Sequence, residues 1–173
     1  MGVELERRFL VRERPLLDSL EGTPIIQGYL AKERGEMSTR VRISGKNAWL
    51  TLKSPRKGFS RAEFEYPIPL PDAQILIEQH CGKRVIRKTR YRVPFRHLVF
   101  EVDLFAGPLT GLVIAELELD NLLQLISSPL PAWIGQEVTH DSRYGNRTLA
   151  EYGLPPAIPA NVCTEVPFSA LST

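Results

Sequence analysis

The chain has 173 residues, 43% of them hydrophobic, with 22 Lys and Arg against 20 Asp and Glu. That is ordinary globular composition, which excludes wholesale disorder and collagen-like repeats and suits one domain with a buried core. A net charge of +2 argues against a nucleic-acid footprint, and no apolar run is long enough for a membrane-spanning helix.

The opening residues Glu4, Glu6, Arg7 and Arg8 form no apolar leader, so the expected location is cytoplasmic. Two cysteines, Cys81 and Cys163, make a disulfide framework unexpected and a reducing compartment the natural setting. Cys81 lies in an apolar helical stretch and reads as an inert buried thiol.

Charge alternation marks the strands. Over 3–11, Glu4, Glu6 and Arg8 share one face and Val3, Leu5 and Phe9 the other, because alternate side chains of a strand point the same way. A shorter strand over 25–30 sets Gln27 and Tyr29 together. Over 38–43, Arg40 and Arg42 oppose Val41 and Ile43. Over 48–53, Lys53 shares a face with Trp49 and Thr51. Over 61–66, Arg61, Glu63 and Glu65 oppose Ala62, Phe64 and Tyr66. Over 85–93, Lys88, Arg90 and Arg92 oppose Val85, Thr89, Tyr91 and Val93. Over 98–105, Glu101 and Asp103 oppose Phe100, Val102 and Leu104, and over 112–119 Glu116 and Glu118 oppose Val113, Ala115, Leu117 and Leu119. Ser44-Gly45-Lys46-Asn47 reads as a hairpin turn, 54–60 as a longer loop, and 107–111 as the break before the last strand.

Four helices are predicted between and after these strands. One starts at Asp72 as N-cap behind Pro71 and stops at Gly82. Another covers 120–127, and a third covers 141–152 between Asp141 and Gly153. A short one is expected over 14–21, with Pro15 in its first turn. Residues 1–153 read as the domain and 154–173 as a Pro-rich tail.

An antiparallel sheet with one wet face would normally mix Thr, Ser, Lys, Glu and Gln there. Here like charges cluster strand by strand, which neighbouring side chains resist. Closed into a small barrel with charges inward, the strands would enclose Glu4, Glu6, Glu63, Glu65, Asp103, Glu116 and Glu118 with Arg8, Arg40, Arg42, Lys53, Lys88 and Arg90. Such a lumen must stay wet or hold a charged ligand. Arg forks fit phosphate oxygens, and hard carboxylates fit Mg²⁺ or Mn²⁺. Together they suit phosphoryl transfer. His80, His97 and His140 are scattered, so no zinc site is expected. Trp49 and Trp133 read as packing residues, Arg61 and Arg92 as rim residues, and Tyr144 and Asn146 as anchors of the last helix.

Glu4-Leu5-Glu6-Arg7-Arg8 resembles the E-x-E-x-K signature of the CYTH superfamily, the triphosphate tunnel metalloenzymes. The resemblance continues through Gln27-Gly28-Tyr29-Leu30, Thr39-Arg40-Val41-Arg42, Leu52-Lys53-Ser54 and Ser60-Arg61-Ala62-Glu63-Phe64-Glu65. It extends through Lys88-Thr89-Arg90-Tyr91, Phe100-Glu101-Val102-Asp103-Leu104-Phe105, Ala115-Glu116-Leu117-Glu118 and Asp141-Ser142-Arg143-Tyr144-Gly145-Asn146. It implies an α+β fold: an eight-stranded antiparallel barrel forming a hydrophilic tunnel with flanking helices.

The resemblance further implies a metal cage of Glu4, Glu6, Asp103, Glu116 and Glu118, with Glu63 and Glu65 nearby. Arg8, Arg40, Arg42, Lys53, Lys88 and Arg90 would hold a small-molecule triphosphate. Tyr29 matches a tyrosine that pairs with the signature lysine in activating water. Here that lysine is Arg8, which stays protonated and cannot act as a base. The role would pass to Tyr29, to a metal-bound water or to a tunnel carboxylate. The short bacterial members this chain resembles imply hydrolysis of tripolyphosphate to pyrophosphate and phosphate. The alternatives are an adenylate cyclase, a triphosphatase for an organic substrate such as thiamine triphosphate, and a module that only binds polyphosphate. The oligomeric state is left open, a homodimer among the options.

Overall fold

The computed structural model describes residues 5–13, 15, 17–30, 37–54, 62–119 and 129–156. Its strands are β1 (Leu5–Val11), β2 (Thr23–Tyr29), β3 (Ser38–Ser44), β4 (Asn47–Lys53), β5 (Glu63–Pro67), β6 (Val85–Phe95), β7 (Leu98–Phe105), β8 (Val113–Leu119) and β9 (Ile134–Glu137). They form one nine-stranded sheet in the order β5-β4-β3-β2-β6-β7-β8-β1-β9, antiparallel at every step. Helices are few, so the fold is α+β, as expected. Among the described residues no ladder joins the edge strands β5 and β9. The eight strands read from the sequence are all present. The ninth, β9, extends the sheet beyond β1 through pairs such as Phe9 with Glu137. It was missed because four residues with only Ile134 buried carry too short a pattern.

Parity sets the two faces. On the face away from the charges, Phe9, Val93, Phe100, Val102, Ala115 and Leu117 form one apolar cluster, with Trp133 against it. Trp133 meets Phe100 edge to face, ring centroids 5.3 Å apart, so it packs as expected. Further along the same face, Val41 and Ala48 are covered by a helical cap through Ala73, Ile77 and Cys81. That cap is α1 (Leu70–Ile75), which runs on as one π-helical turn, Leu76–His80.

The charged face carries its own apolar stop. Leu10, Tyr29, Ile86, Phe105 and Ile114 each lie two residues from a polar or charged position on their strand. They pack together with Leu109, Leu112, Val138, Tyr144 and Leu149. The last two belong to a 3-10 turn, Ser142–Tyr144, and to α2 (Asn146–Tyr152). In a flat sheet β2 and β1 would stand about 19 Å apart, four strand spacings. One cluster spanning both, with the Arg8 charge acting on the Tyr29 hydroxyl, makes this face concave.

Several expectations are corrected. Asp72 does not cap α1: the N-cap is Pro69, with no side-chain cap bond, and Asp72 sits in the first turn. The helix starts earlier because Leu70 joins the apolar cluster under it. No helix forms among the described residues of 14–21. Leu17 and Leu20 instead make a turn, N–H of Leu20 to O of Leu17 at 2.9 Å, which docks both on the apolar cluster. The 141–152 segment is helical, but Gly145 (ψ 134°) divides it. Asp141 does accept from the Arg143 N–H, and Gly153 ends the helix at φ 80°. Gly45, at φ 57°, closes the two-residue hairpin turn as expected. Phe64 and Tyr66, expected on an apolar face, are 47% and 52% exposed, because β5 is an edge strand. The helix over 120–127, most of the 54–60 loop, Arg61 and Cys163 lie outside the described residues. No helix among those described is long and apolar enough to cross a membrane.

Cys81 is fully buried, and burial pushes its thiol pKa up, as suits an inert packing residue. A Cβ on Gly28 would stand 2.5 Å from its Sγ and 2.9 Å from its Cβ. Gly28→Ala should therefore lower the unfolding free energy by about 1–3 kcal/mol through overpacking. Pairing it with Cys81→Ala should cost less than the two single changes added, measured by urea denaturation.

Candidate active site

The strands bring their own charges to this face. From β5 inward come Glu63 and Glu65, then Lys53 on β4, then Arg40 and Arg42 on β3. Gln27 and Tyr29 on β2 separate these from Lys88 and Arg90 on β6. Acids follow on β7 and β8, and Glu6 and Arg8 on β1. Some ladder pairs are unlike, as Arg90 with Asp103 and Lys53 with Glu63, and others are like, as Glu101 with Glu116 and Glu6 with Glu118.

Arg90 is the hub. Its Nε donates to Asp103 Oδ1 at 2.6 Å, and its Nη2 donates to Asp103 Oδ2 at 2.6 Å and Glu116 Oε2 at 2.7 Å. Its Nη1 donates to Glu101. Glu101 and Glu116 stand opposite in the ladder, so Arg90 holds apart two carboxylates that would otherwise repel. Burial alone would lower the Arg90 pKa, but its bonds to Asp103 and the surrounding carboxylates raise it. Lys88 Nζ reaches Asp103 Oδ2 at 2.5 Å with both side chains 1% exposed. It also lies 5.4 Å from the Phe105 ring centroid. Asp103, expected among the metal ligands, thus has both oxygens taken by two cations.

Arg8 bridges two acids. Its Nη2 donates to Glu6 Oε1 at 2.7 Å and its Nε to Glu116 Oε1 at 3.1 Å. Glu6 stands opposite Glu118, and Arg8 opposite Glu116. Glu118 is exposed. Glu4 lies outside the described residues. Among those described, no three acidic, His or Cys side chains converge as a ready metal site.

On the other wing, Arg42 Nη2 donates to Glu65 Oε1 at 3.1 Å, and Arg40 Nη2 donates to Thr51 Oγ1 at 3.2 Å. Arg40 Nη2 also lies 3.4 Å from Glu65 Oε2. Lys53 Nζ pairs with Glu63 at 2.8 Å. The Nε atoms of both Arg40 and Arg42 are buried with no hydrogen-bond partner. Burial, followed by the neighbouring Arg40 charge, lowers the Arg42 pKa. Two buried donors left open on adjacent cations are costly unless an anion meets them.

Between the wings opens a cavity of about 320 Å³, lined by Arg42, Trp49, Arg90, Arg92, Glu101 and Ile25 among others. Trp49 is half-buried and lies 5.1 Å below the Arg42 guanidinium, so it also walls the cavity. Tyr29 is buried at the closed end. Its hydroxyl accepts from Gln27 Nε2 at 2.9 Å, and desolvation pushes its pKa up to about 12.

The structure thus brings together every described residue singled out by the sequence: Glu6, Arg8, Tyr29, Arg40, Arg42, Lys53, Glu63, Glu65, Lys88, Arg90, Asp103, Glu116 and Glu118 share one face. Four others belong with them. Glu101 and Thr51 have the same parity as chosen neighbours, so alternation alone could have found them. Gln27 shows its role only through its bond to Tyr29. Arg147, on α2, donates to Ser38 Oγ at 3.0 Å and lies 5.8 Å from the Tyr29 ring centroid, which no sequence spacing signals.

A concave sheet face pairing Arg and Lys with carboxylates defines a polyanion site of the phosphate-handling kind. The sequence matches the family described as CYTH domain over residues 3–146. It is 40% identical over 151 residues to an inorganic triphosphatase of Acetivibrio thermocellus, covering 87% of this chain and 95% of that one. It is 39% identical over 149 residues to an inorganic triphosphatase of Nitrosomonas europaea, covering 85% and 96%. The crystal structure of an inorganic triphosphatase superposes with a TM-score of 0.69 at 34% identity, covering 91% of this chain and 99% of that chain. The chain belongs to the CYTH domain family.

Burial alone would raise the Asp103 carboxyl, but Lys88 and then Arg90 outweigh it and hold the group below its ordinary 3.8. A depressed folded pKa stabilises the fold above the unfolded value, and that stability is lost as pH falls through the folded one. Wild-type stability should therefore drop on acidification below about pH 4. Asp103→Asn should weaken that dependence and cost about 3–5 kcal/mol at neutral pH, because Lys88 stays buried without a counter-charge. Urea denaturation across pH checks both, and an unchanged acid limb in the variant would refute the assignment.

Proposed function

We propose that the protein hydrolyses inorganic triphosphate to pyrophosphate and phosphate on its charged face. The observation that carries this reading is the pair of buried, unpartnered Nε donors on Arg40 and Arg42. A chain of phosphates is the anion that could meet both, and Lys53, Lys88, Arg90 and Arg8 extend the same positive lining. The two relatives at about 40% identity, both inorganic triphosphatases, support the choice of substrate.

A divalent cation fits the donor chemistry of the β1–β8 seam. Glu6 and Glu118 face each other across the ladder with Glu116 one pair further on, and like charges so placed are relieved by a hard cation. Glu6, Glu116 and Glu118 would hold Mg²⁺ or Mn²⁺, together with Glu4. When bound, the ion neutralises charge on the transferring phosphoryl group. Asp103 would serve by fixing Lys88 and Arg90. Arg40, Arg42 and Arg90 orient the phosphates, and Glu63 and Glu65 set the resting positions of the cations beside them. Arg8 keeps its proton and binds. Tyr29 lines the closed end, where water is excluded.

Purified protein should release phosphate from tripolyphosphate far faster than from pyrophosphate, ATP or thiamine triphosphate, with Mg²⁺ or Mn²⁺ and not with EDTA. Arg42→Ala should raise KM for tripolyphosphate about tenfold or more, from the loss of charged hydrogen bonds. Preference for ATP or thiamine triphosphate would replace this reading with an organic triphosphatase or a cyclase. Tight binding without any release would replace it with a binding module.

A further inference from the structure

Gln27 is only 2% exposed, yet it lies on the charged face. Its ladder neighbours are Arg42 on β3 and Ile86 on β6. Its amide Nε2 donates to the Tyr29 hydroxyl oxygen. A phenol has one proton to give as well as lone pairs to offer. With the amide donor facing that oxygen, the hydroxyl proton must point elsewhere. Among the described residues the hydroxyl makes no second hydrogen bond.

The ring has little freedom. It is packed in the apolar stop with Leu10 and Ile86 and flanked by the Arg147 guanidinium. The charges that act on its hydroxyl come from Arg40 on β3, Glu116 on β8, Arg147 on α2 and Arg8 on β1. Glu116 is the one acceptor in that set; its oxygens accept from Arg8 and Arg90, and no hydrogen bond joins it to the hydroxyl. A fixed O–H beside Arg40, with its acceptor side occupied, is a preorganised donor toward a bound anion.

We infer that Gln27 is a positioning residue that fixes the Tyr29 hydroxyl as a hydrogen-bond donor to an oxygen of the phosphate chain held by Arg40 and Arg42. The inference rests on the triphosphate reading and deepens it: the tyrosine binds the anion as a neutral group and takes no proton from water. Its raised pKa agrees, because the phenol stays protonated at any working pH.

The test is calorimetric binding of tripolyphosphate in EDTA, where turnover does not enter. Tyr29→Phe should weaken binding about tenfold, the usual effect of one lost bond to a charged group. Gln27→Met, close in volume, should weaken it by a similar factor, and Gln27→Asn, whose amide is drawn back by one methylene, should do the same. In the Tyr29→Phe background neither change at position 27 should matter further. Carbon NMR of the tyrosine Cζ, with the Tyr29 signal identified by its loss in Tyr29→Phe, should show that signal moving on tripolyphosphate addition in wild type and much less in Gln27→Met. Urea denaturation separates a folding defect from lost positioning.

Equal losses in both backgrounds would make Gln27 merely structural. Unchanged affinity in Tyr29→Phe, with a fall in kcat alone, would make Tyr29 a proton acceptor. Either result overturns the inference while leaving the triphosphate reading intact. Wild-type protein that neither binds tripolyphosphate in EDTA nor releases phosphate from it with Mg²⁺ or Mn²⁺ would overturn both.

Discussion

Charge inside a curved sheet must be paired, and the site follows from that constraint. An isolated ion moved out of water costs several kcal/mol even after relaxation. The chain meets this by setting cations opposite or diagonal to carboxylates, so that the ladder itself brings partners together. Arg90 stands opposite Asp103, and Arg8 opposite Glu116. The hydrogen bonds that hold the sheet therefore also set the distances between charges. Where register offers no partner, as for Arg40 Nε and Arg42 Nε, the fold leaves donors open. That imbalance sits on one wing, which gives the face a direction: saturated pairs around Asp103, and open Nε donors on Arg40 and Arg42.

The apolar stop serves the same constraint. Leu10, Tyr29, Ile86, Phe105 and Ile114 keep water from that end of the charged face. Pairs beside the stop, such as Lys88 with Asp103, lie in a low-dielectric setting where attraction is strong and an unpaired charge is intolerable. Pairs toward the edge, such as Lys53 with Glu63, retain more exposure and contribute less to stability. The same side chains thus close the fold and grade the electrostatics along the face.

Much of this was legible in the sequence, because the strand period is two and charge is the loudest signal at that period. Glu6, Arg8, Arg40, Arg42, Lys88, Arg90 and Glu116 announce their face without any knowledge of strand order. Strand order itself is silent, so the partners could not be read. That Arg90 would serve Asp103, Glu101 and Glu116 together depends on β6, β7 and β8 lying side by side. Nor does the sequence single out Asp103 as the acid on this face whose two oxygens both meet cations. Asp72 failed as a cap for a similar reason. The packing of Leu70 beneath α1 moved the helix start upstream, and tertiary contact outweighed local capping preference. Alternation sets Gln27 beside Tyr29 but not its bond to it, and Arg147 carries no pattern that points to this face.

The arginine at position 8, where the family signature carries lysine, makes sense in this geometry. Its guanidinium reaches Glu6 with one nitrogen and Glu116 with another, a fixed two-pronged contact that a single ammonium cannot reproduce. A group placed to bridge two carboxylates has no need to lose a proton. Tyr29, at a pKa of about 12, is likewise held protonated. An arginine and a neutral phenol both carry their protons under working conditions. The groups on this face able to accept a proton are its carboxylates. Glu6, Glu116 and Glu118 are the ones nearest the β1–β8 seam. Under the triphosphate reading, metal binding and proton acceptance would converge on that seam, and anion binding would fall to the cations of β3 and β6.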